Sequence, residues 1–310
     1  MMIYTLTLNP ALDLELTVET LTQNQVLRAV HTRTDCGGKG FNVSRALAAL
    51  GQASTALGFI GGSTGKRLER DLHQMGIGTD FVVVSDETRT NVSIVTDPSS
   101  DYIKVNQPGP TIKAEETEAL LQKVQTLSQP DDTWVLSGSL PPGVATDIYA
   151  QIIHTVQSRG AKTLLDTSGE PLRMGCKARP FAVKPNTVEA QHLTGIEIED
   201  IDTARMAAEE IHSQGIPVVI LSLGKDGALL SQSDGTFLAK PPAVHEHNPI
   251  GAGDALVAGM VWGLNQEMSL VEALRWGVAC GAAAASTPGT GVGSKEQIKR
   301  LEKEIRVTSL

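Results

Sequence analysis

The sequence of 310 residues has few cysteines, no block of basic residues and no uninterrupted apolar run long enough to span a membrane. The cysteines at 36, 176 and 280 are far apart and odd in number, which fits neither a disulfide framework nor a structural zinc site. The net charge is -9, so the composition favours a small-molecule role over nucleic-acid binding. We therefore expect a cytoplasmic protein with no nucleic-acid or membrane partner.

Two nucleotide-binding motifs are also missing. The P-loop pattern fails because Gly65-Lys66 is followed by Arg67 and the required upstream glycine is absent. The glycines at 251 and 253 lack the third glycine of a dinucleotide fingerprint, since Leu256 stands in its place. These absences disfavour a P-loop NTPase and a hydride-transfer enzyme.

Apolar runs alternate with segments of helical periodicity, and this order predicts an α/β fold. It predicts strands at 3–8, 53–60, 133–136, 162–165, 181–183 and 217–221, and helices at 42–50, 66–75, 147–157, 204–213 and 270–285. Helices between parallel strands cover both faces of one central sheet. We expect residues 1–310 to form a single domain.

Two segments, about 14–34 and 82–105, break this rhythm because β-branched residues alternate there with polar ones. They are predicted to form a small β-sheet lid over the carboxyl ends of the main strands, where open α/β sheets bind ligands. A small open sheet with apolar residues is also an unprotected surface, which favours a homodimer.

The stretch 248–259, NPIGAGDALVAG, places small residues and a carboxylate at the predicted start of a helix. Gly251, Ala252 and Gly253 leave their amide groups open to an anion. Asp254 follows at the helix N-terminus, where the helix dipole is expected to keep it ionised and ready to accept a proton. The pattern predicts a phosphoryl-transfer site, and the alternative is a tight turn with Asp254 as helix N-cap.

A second glycine-rich loop, at 35–42, precedes an apolar helix, and its Lys39 and Asn42 offer donors to a polyol or phosphate. With it, six motifs occur in order: LNPALD at 8–13, GGKGFNVS at 37–44, SGSLPPGV at 137–144, KPNTVE at 184–189, SLGKDGA at 222–228 and GAGD at 251–254. Together they resemble the PfkB carbohydrate kinase family over essentially the whole chain.

The resemblance implies a ribokinase-like fold, with a central mostly parallel sheet, helices on both faces and a small β-sheet lid. It implies ATP as cosubstrate, Mg²⁺ as cofactor, a ketohexose phosphate as substrate and a homodimer through the lid. Fructose 1-phosphate is the expected substrate, and tagatose 6-phosphate and fructose 6-phosphate are the alternatives. A non-catalytic sugar-phosphate sensor is a further alternative, but it predicts a damaged base or anion site, and residues 251–254 are intact.

By position in the motifs, Asp254 resembles the base, and the amides of Gly251, Ala252 and Gly253 resemble the site for the developing charge. The nucleotide site implied in this way consists of Lys184, Asn186, Ser222, Leu223, Gly224, Lys225, Asp226, Gly227 and Gly253. Asn186 and Glu189 resemble a pair that organises Mg²⁺ largely through water, and helix capping is their alternative role.

On the sugar side, Asp13 resembles a ligand of the sugar hydroxyls, and Gly38, Lys39 and Asn42 resemble further substrate contacts. Arg89 and Ser139 resemble the ligands of the phosphate already on the sugar, with Arg28 and Lys104 as weaker candidates. The alternative for Arg89 is a solvated strand charge. Residues 26–27 are Val-Leu, where some 6-phosphate relatives place lysine, and this difference disfavours fructose 6-phosphate.

Overall fold

The computed structural model describes residues 1–96, 102–245, 250–287 and 291–310. The strands in these ranges are β1 (Ile3–Thr7), β2 (Ala11–Val18), β3 (His31–Gly37), β4 (Thr55–Gly61), β5 (Gly78–Thr79), β6 (Val82–Val84), β7 (Arg89–Thr96), β8 (Tyr102–Val105), β9 (Thr133–Ser137), β10 (Lys162–Asp166), β11 (Ala182–Val183), β12 (Val218–Ser222), β13 (Ala228–Gln232), β14 (Gly235–Lys240) and β15 (Arg306–Ser309). The helices are α1 (Lys39–Ala49), α2 (Gly62–Gln74), α3 (Ala114–Leu127), α4 (Ile148–Ser158), α5 (Gly169–Lys177), α6 (Thr187–Thr194), α7 (Ile201–Ser213), α8 (Ala252–Asn265), α9 (Leu270–Ala285) and α10 (Lys295–Glu304).

The central sheet has the strand order β15-β14-β13-β12-β11-β10-β9-β1-β4-β5, and β6 also pairs with β4. The strands from β12 to β5 are parallel, and β13, β14 and β15 continue the sheet in antiparallel pairs. The parallel strands are almost continuously buried because helices cover both of their faces. This α/β architecture confirms the fold predicted from the sequence.

Alternate residues of each strand enter opposite halves of the core, as the two-residue period of a strand requires. Tyr4 and Trp134 stack on the side covered by α3, α4, α5 and α7. Ile3 and Val135 belong to the other side, where α1, α8, α9 and α10 pack. Among the described helices, none combines the length and apolar character needed to cross a bilayer.

A separate four-stranded sheet has the order β3-β2-β7-β8 and forms the predicted lid. The lid boundaries differ from the predicted ones, because β2 begins at Ala11 and residues 19–30 form a connecting loop rather than strand. Val82 and Val84 are also outside the lid, since they pair with β4 and bury their side chains in the main core. The second lid segment begins only at Arg89.

Candidate active site

The GAGD segment forms the first turn of α8, as the sequence predicts; Asn248 and Pro249, which precede it, lie outside the described residues. Gly251 is the N-cap and has φ of 85°, a left-handed conformation that strongly favours glycine. Because glycine has no capping side chain, the first amides of α8 remain available to a ligand. Asp254 lies in this first turn and is only 5% exposed.

Small residues let α9 pack closely against the start of α8. A β-carbon at Gly281 would lie 3.1 Å from the carbonyl oxygen of Ala252, and one at Gly277 would lie 2.9 Å from that of Leu256. A larger side chain at either position would push the two helices apart. The resulting contact holds one wall of a cavity beside the GAGD turn.

This cavity has a volume of about 530 Å³. Its lining includes the predicted nucleotide residues Ser222, Gly224, Lys225, Asp226, Gly227 and Gly253. Leu223 belongs to the same loop, and its side chain packs against the core while its neighbours line the cavity. Sequence reasoning missed another part of the apolar lining, namely Pro241, Pro242, Ala243, Val244, Leu256 and Val278.

A buried carboxylate that the sequence analysis did not identify lies at the centre of the site. Asp166 ends β10, is 0% exposed and accepts a hydrogen bond from Lys39 Nζ at 2.8 Å. Lys184 Nζ lies 3.2 Å from the same oxygen. Burial alone would raise the pKa of Asp166, but Lys184 and Lys39 outweigh it and hold the pKa below its ordinary value.

Lys184 lies directly after β11, is only 4% exposed and reaches the GAGD turn. A β-carbon at Gly253 would lie 3.6 Å from Lys184 Nζ, so this ammonium group is next to the open amides of α8. Lys39 occupies the first position of α1, and the pKa of Lys39 is above its ordinary value, because Asp166 and Asp254 outweigh the effect of burial. Two cations therefore border the space beside Asp254.

The pKa of Asp254 is set by burial and a neighbouring carboxylate rather than by the helix dipole that the sequence analysis invokes. Burial and the negative charge of Asp166 raise the pKa of Asp254 to about 6, although Lys39, a hydrogen bond from Asn42 and Lys184 act in the opposite direction. A helix terminus contributes roughly 0.3–1 kcal/mol at exposed positions, which is less than the cost of burying this carboxylate. Asp254 is thus a stronger base than an exposed aspartate.

Asn42 connects the early glycine-rich loop to this carboxylate. Asn42 Nδ2 donates to Asp254 Oδ2 at 2.7 Å, and Arg45 Nη2 donates to Asn42 Oδ1 at 2.6 Å. Gly38 begins α1 with φ of 139°, and a β-carbon there would lie 2.7 Å from Thr7 Cγ2. The glycine therefore lets α1 start directly over the end of β1.

Asp13 projects from lid strand β2, where Asn91 Nδ2 of β7 donates to its Oδ1 at 2.8 Å. A β-carbon at Gly37 would lie 2.4 Å from Asp13 Oδ2, so only glycine fits opposite this carboxylate. Asp13 also acts electrostatically on Arg45 and Arg89. The lid therefore places Asp13 beside the glycine-rich loop.

Asn9, a buried residue that sequence reasoning did not single out, contacts both Arg89 and the loop that contains Ser139. Arg89 Nη2 donates to the carbonyl of Asn9 at 2.9 Å, and Asn9 Nδ2 donates to the carbonyl of Leu140 at 3.3 Å. Ser139 is exposed in the loop after β9, directly before Leu140. The structure therefore brings Arg89 and Ser139 to the same region.

Arg28 and Lys104 are exposed, Arg28 in the loop between β2 and β3 and Lys104 on β8. No hydrogen bond or ion pair among the described residues joins either cation to the other candidate residues. Within one protomer, the structure does not bring them into the site.

Asn186 and Glu189 form the capping box that was their alternative interpretation. Glu189 N donates to Asn186 Oδ1 at 2.8 Å, and Asn186 N donates to Glu189 Oε2 at 2.9 Å. Asn186 also pairs with Ser222, which lines the cavity, and Glu189 is near enough to affect the pKa of Lys39. Capping thus holds both oxygen-bearing side chains between the cavity and Lys39.

Known proteins share both this sequence pattern and this architecture. The pfkB family carbohydrate kinases match residues 6–297. The chain belongs to the PfkB family. It is thus a carbohydrate kinase, for which ATP is the cosubstrate. Membership agrees with the cavity, the open amides and the buried carboxylate, which lie together at the carboxyl ends of the parallel strands.

Two named relatives and one solved structure are similar over nearly the whole chain. The 1-phosphofructokinase of Bacillus subtilis is 37% identical, and the match covers 100% of both chains. A tagatose-6-phosphate kinase of Staphylococcus epidermidis is 32% identical and covers 99% of both. The crystal structure of phosphofructokinase-2 from Escherichia coli in complex with potassium has a TM-score of 0.93 at 34% identity, with 98% of both chains covered.

Proposed function

We propose that this protein, an ATP-dependent sugar-phosphate kinase, converts fructose 1-phosphate to fructose 1,6-bisphosphate, with Asp254 as the base. The observation that carries the proposal is the position of Asp254. It is buried in the first turn of α8, with the nucleotide cavity on one side and the Asp13 and Lys39 region on the other. A sugar hydroxyl at this point would face the terminal phosphate of ATP.

In this reaction Asp254 accepts the proton of the attacked hydroxyl as the γ-phosphoryl group leaves ADP. The amides of residues 251–253 bind the oxygens on which charge develops, and Lys184 adds a positive charge beside Gly253. Because the transition state is loose, positioning and charge neutralisation supply most of the acceleration. The pKa of about 6 leaves Asp254 ionised at neutral pH while making it more basic than an exposed carboxylate.

Magnesium is the expected partner of ATP, and the Asn186–Glu189 pair fits it. Mg²⁺ prefers oxygen ligands, keeps several waters and is commonly held by few protein groups together with substrate phosphates. Asn186 and Glu189 supply an amide oxygen and a carboxylate beside Ser222 of the cavity. When bound there, the ion would neutralise charge on the β- and γ-phosphates.

The sugar site is assigned to the lid and the loops next to it. Asp13 accepts hydrogen bonds from ring hydroxyls, with Gly38, Lys39 and Asn42 as further contacts. Arg89 and Ser139 bind the phosphate already present on the sugar. No carboxylate forms an ion pair with Arg89 among the described residues, and its Nη1 and Nη2 donate to the carbonyls of Gln107 and Asn9. Its positive charge is thus available for a phosphate.

Replacing Arg89 with alanine is expected to raise the KM for fructose 1-phosphate by roughly 10- to 100-fold, the value of a hydrogen bond to a charged group, with kcat changed less than about threefold. Initial-rate kinetics checks this, with the exposed Arg70→Ala as the matched control. A fall in kcat with an unchanged KM would assign Arg89 to the transition state instead of the bound phosphate.

Tagatose 6-phosphate is the second candidate, because a relative of that name matches 99% of the chain. Each of the two ketohexose phosphates has a phosphate at one end and a primary hydroxyl at the other, so one pocket can hold either. The higher identity to a 1-phosphofructokinase favours fructose 1-phosphate over tagatose 6-phosphate.

We also propose that the protein is cytoplasmic, because its three buried cysteines are unpaired. We further propose that it forms a homodimer through the lid. Strand β8 is an exposed edge of the lid, and the exposed apolar side chains Val26, Val30, Tyr102, Ile103 and Val105 belong to the lid or its loop. Sedimentation equilibrium should give twice the protomer mass, and Ile103→Asp should give the protomer mass. A wild-type protein that is monomeric at micromolar concentration would contradict the dimer.

The test of the function is ADP formation from ATP and Mg²⁺ with fructose 1-phosphate, fructose 6-phosphate and tagatose 6-phosphate in parallel, with Asp254→Asn as the blank. Preferential turnover of fructose 1-phosphate, abolished by the substitution, is the expected result. A preference for tagatose 6-phosphate would move the assignment to the second candidate, and no turnover of any of the three would contradict the proposed substrate class.

A further inference from the structure

Asn42 and Arg45 are three residues apart on α1, so their side chains share one face of the helix. The guanidinium of Arg45 donates to Asn42 Oδ1 at 2.6 Å, and Asn42 Nδ2 donates to Asp254 Oδ2 at 2.7 Å. These contacts form a chain of two hydrogen bonds that ends on the proposed base. Its final contact joins residues 212 positions apart in the sequence.

The chemistry of the two side chains fixes the direction of donation along these two hydrogen bonds. An asparagine amide has an oxygen that only accepts and a nitrogen that only donates, whereas a guanidinium only donates. Arg45 therefore requires the Asn42 oxygen on its own side, and the amide nitrogen must then face Asp254. Without Arg45, the Asn42 oxygen loses this donor, and only the contact with Asp254 still holds the amide in place.

Arg45 lies outside the nucleotide cavity. It lines a second cavity of about 420 Å³ with Ala48, Ala49, Met75, Gly291 and Val292, and none of these residues lines the nucleotide cavity. Arg45 is thus placed to act on Asp254 through Asn42.

We propose that Arg45 is a positioning residue of this kinase, which locks the Asn42 amide so that it donates to Asp254 and holds the base in its reactive orientation. This role rests on the proposed function of Asp254. It gives Asn42 a second task besides the substrate contact implied by its motif.

The charged groups around Asp254 show why this donor matters. Asp166, at the end of β10, and burial both raise the pKa of Asp254, and Lys39 of α1, the Asn42 hydrogen bond and Lys184 after β11 lower it. Arg45 of α1 is also within electrostatic range of Asp254. Loss of the Asn42 donor removes one of the influences that favour the ionised base, so the pKa of Asp254 must rise.

The test is a double-mutant cycle between Asn42→Ala and Arg45→Met, measured as kcat and as the pH profile of kcat/KM. Arg45→Met is expected to lower kcat by about tenfold and to move the acid limb, near pH 6 in the wild type, up by about one pH unit. In the Asn42→Ala background, the same substitution should lower kcat by less than about twofold, because the group through which Arg45 acts is already gone.

The exposed Arg70→Met is the matched control and should leave kcat and the pH profile unchanged. An equal loss from Arg45→Met in both backgrounds, or an unmoved acid limb, would overturn the proposal. If Arg45→Met does not fold, Arg45→Gln replaces it, since its neutral amide can still donate to Asn42. A kcat near that of the wild type in this variant would support the role of the hydrogen bond, and a loss of kcat equal to that of Asn42→Ala would overturn it.

Asp254→Asn, measured in the same assay, separates the two proposals. If Asp254→Asn retains turnover, the proposed function of Asp254 fails and the role of Arg45 fails with it. If Asp254→Asn is inactive while the cycle is additive, only the role of Arg45 fails.

Discussion

Asp254→Asn is expected to abolish turnover and to stabilise the folded protein at the same time. The substitution removes the only group assigned to accept the hydroxyl proton, and we expect kcat to fall by about 10³-fold, within the range typical of a general base. It also removes a buried negative charge. The side-chain size hardly changes, and the amide oxygen can still accept the hydrogen bond from Asn42.

The pH dependence gives the stability effect its sign. Because the pKa of Asp254 is about 6 in the folded protein and 3.8 ordinarily, the folded state binds the proton more tightly, and ionisation costs stability as the pH rises from about 4 to about 6. This pKa difference lowers the free energy of unfolding of the wild type by about 3 kcal/mol at pH 8 and by about half of that at pH 5. The asparagine variant is expected to be more stable by these amounts.

Urea unfolding of both proteins at pH 8 and pH 5 checks this result, with Asp234→Asn in the exposed β13–β14 turn as the surface control. An asparagine variant with wild-type stability at pH 8 would show that the buried carboxylate is not destabilising. A stability gain of the same size at both pH values would also contradict the account, since it would not originate from ionisation.

Asp166→Ala is expected to cause the largest loss of stability. Asp166 is completely buried, and its carboxylate faces both Lys39 and Lys184, of which Lys184 is itself only 4% exposed. Removal of the carboxylate leaves a buried ammonium group without its partner. Breaking a buried pair in this way typically costs about 3–5 kcal/mol.

Thermal and urea unfolding measure this effect, and Glu170→Ala is the matched control because it breaks an exposed ion pair with Arg173. Asp166→Asn, which retains the shape but not the charge, should lie between the two. If Asp166→Ala unfolds with the same midpoint as Glu170→Ala, the two lysines do not depend on Asp166 in the folded state.

Much of the fold was predictable because its strands and helices have strong periodic signals. The helix predicted at 270–285 coincides with α9, and the predicted strands agree with β1, β4, β9, β10 and β12 within two residues at each end. The helix predicted from 204 begins at Ile201 instead, because Asp200 accepts a hydrogen bond from Thr203 N and caps the helix there. The lid boundary was wrong because Val82–Val84 has strand propensity in either sheet, and only the tertiary contact with β4 decides its partner.

The glycine-rich parts of the site were predictable because glycine is needed where backbone must approach a ligand or take a positive φ, as at Gly251. Asp166 was missed because its partners are distant in sequence; Lys39, for example, is 127 positions away. The available signal was a carboxylate directly after the buried pair Leu164-Leu165 at the end of β10. The pKa of Asp254 was also unpredictable, because it depends on burial and on this same Asp166.

The central claim is tested most directly by phosphorus NMR of a stoichiometric mixture of enzyme, ATP, Mg²⁺ and fructose 1-phosphate. The account predicts that the γ-phosphate resonance of ATP is replaced by that of a second sugar phosphate, as in fructose 1,6-bisphosphate, and that ATP stays intact with Asp254→Asn. Bisphosphate formed equally fast by both proteins, or inorganic phosphate as the product in place of the bisphosphate, would contradict a kinase with Asp254 as its base.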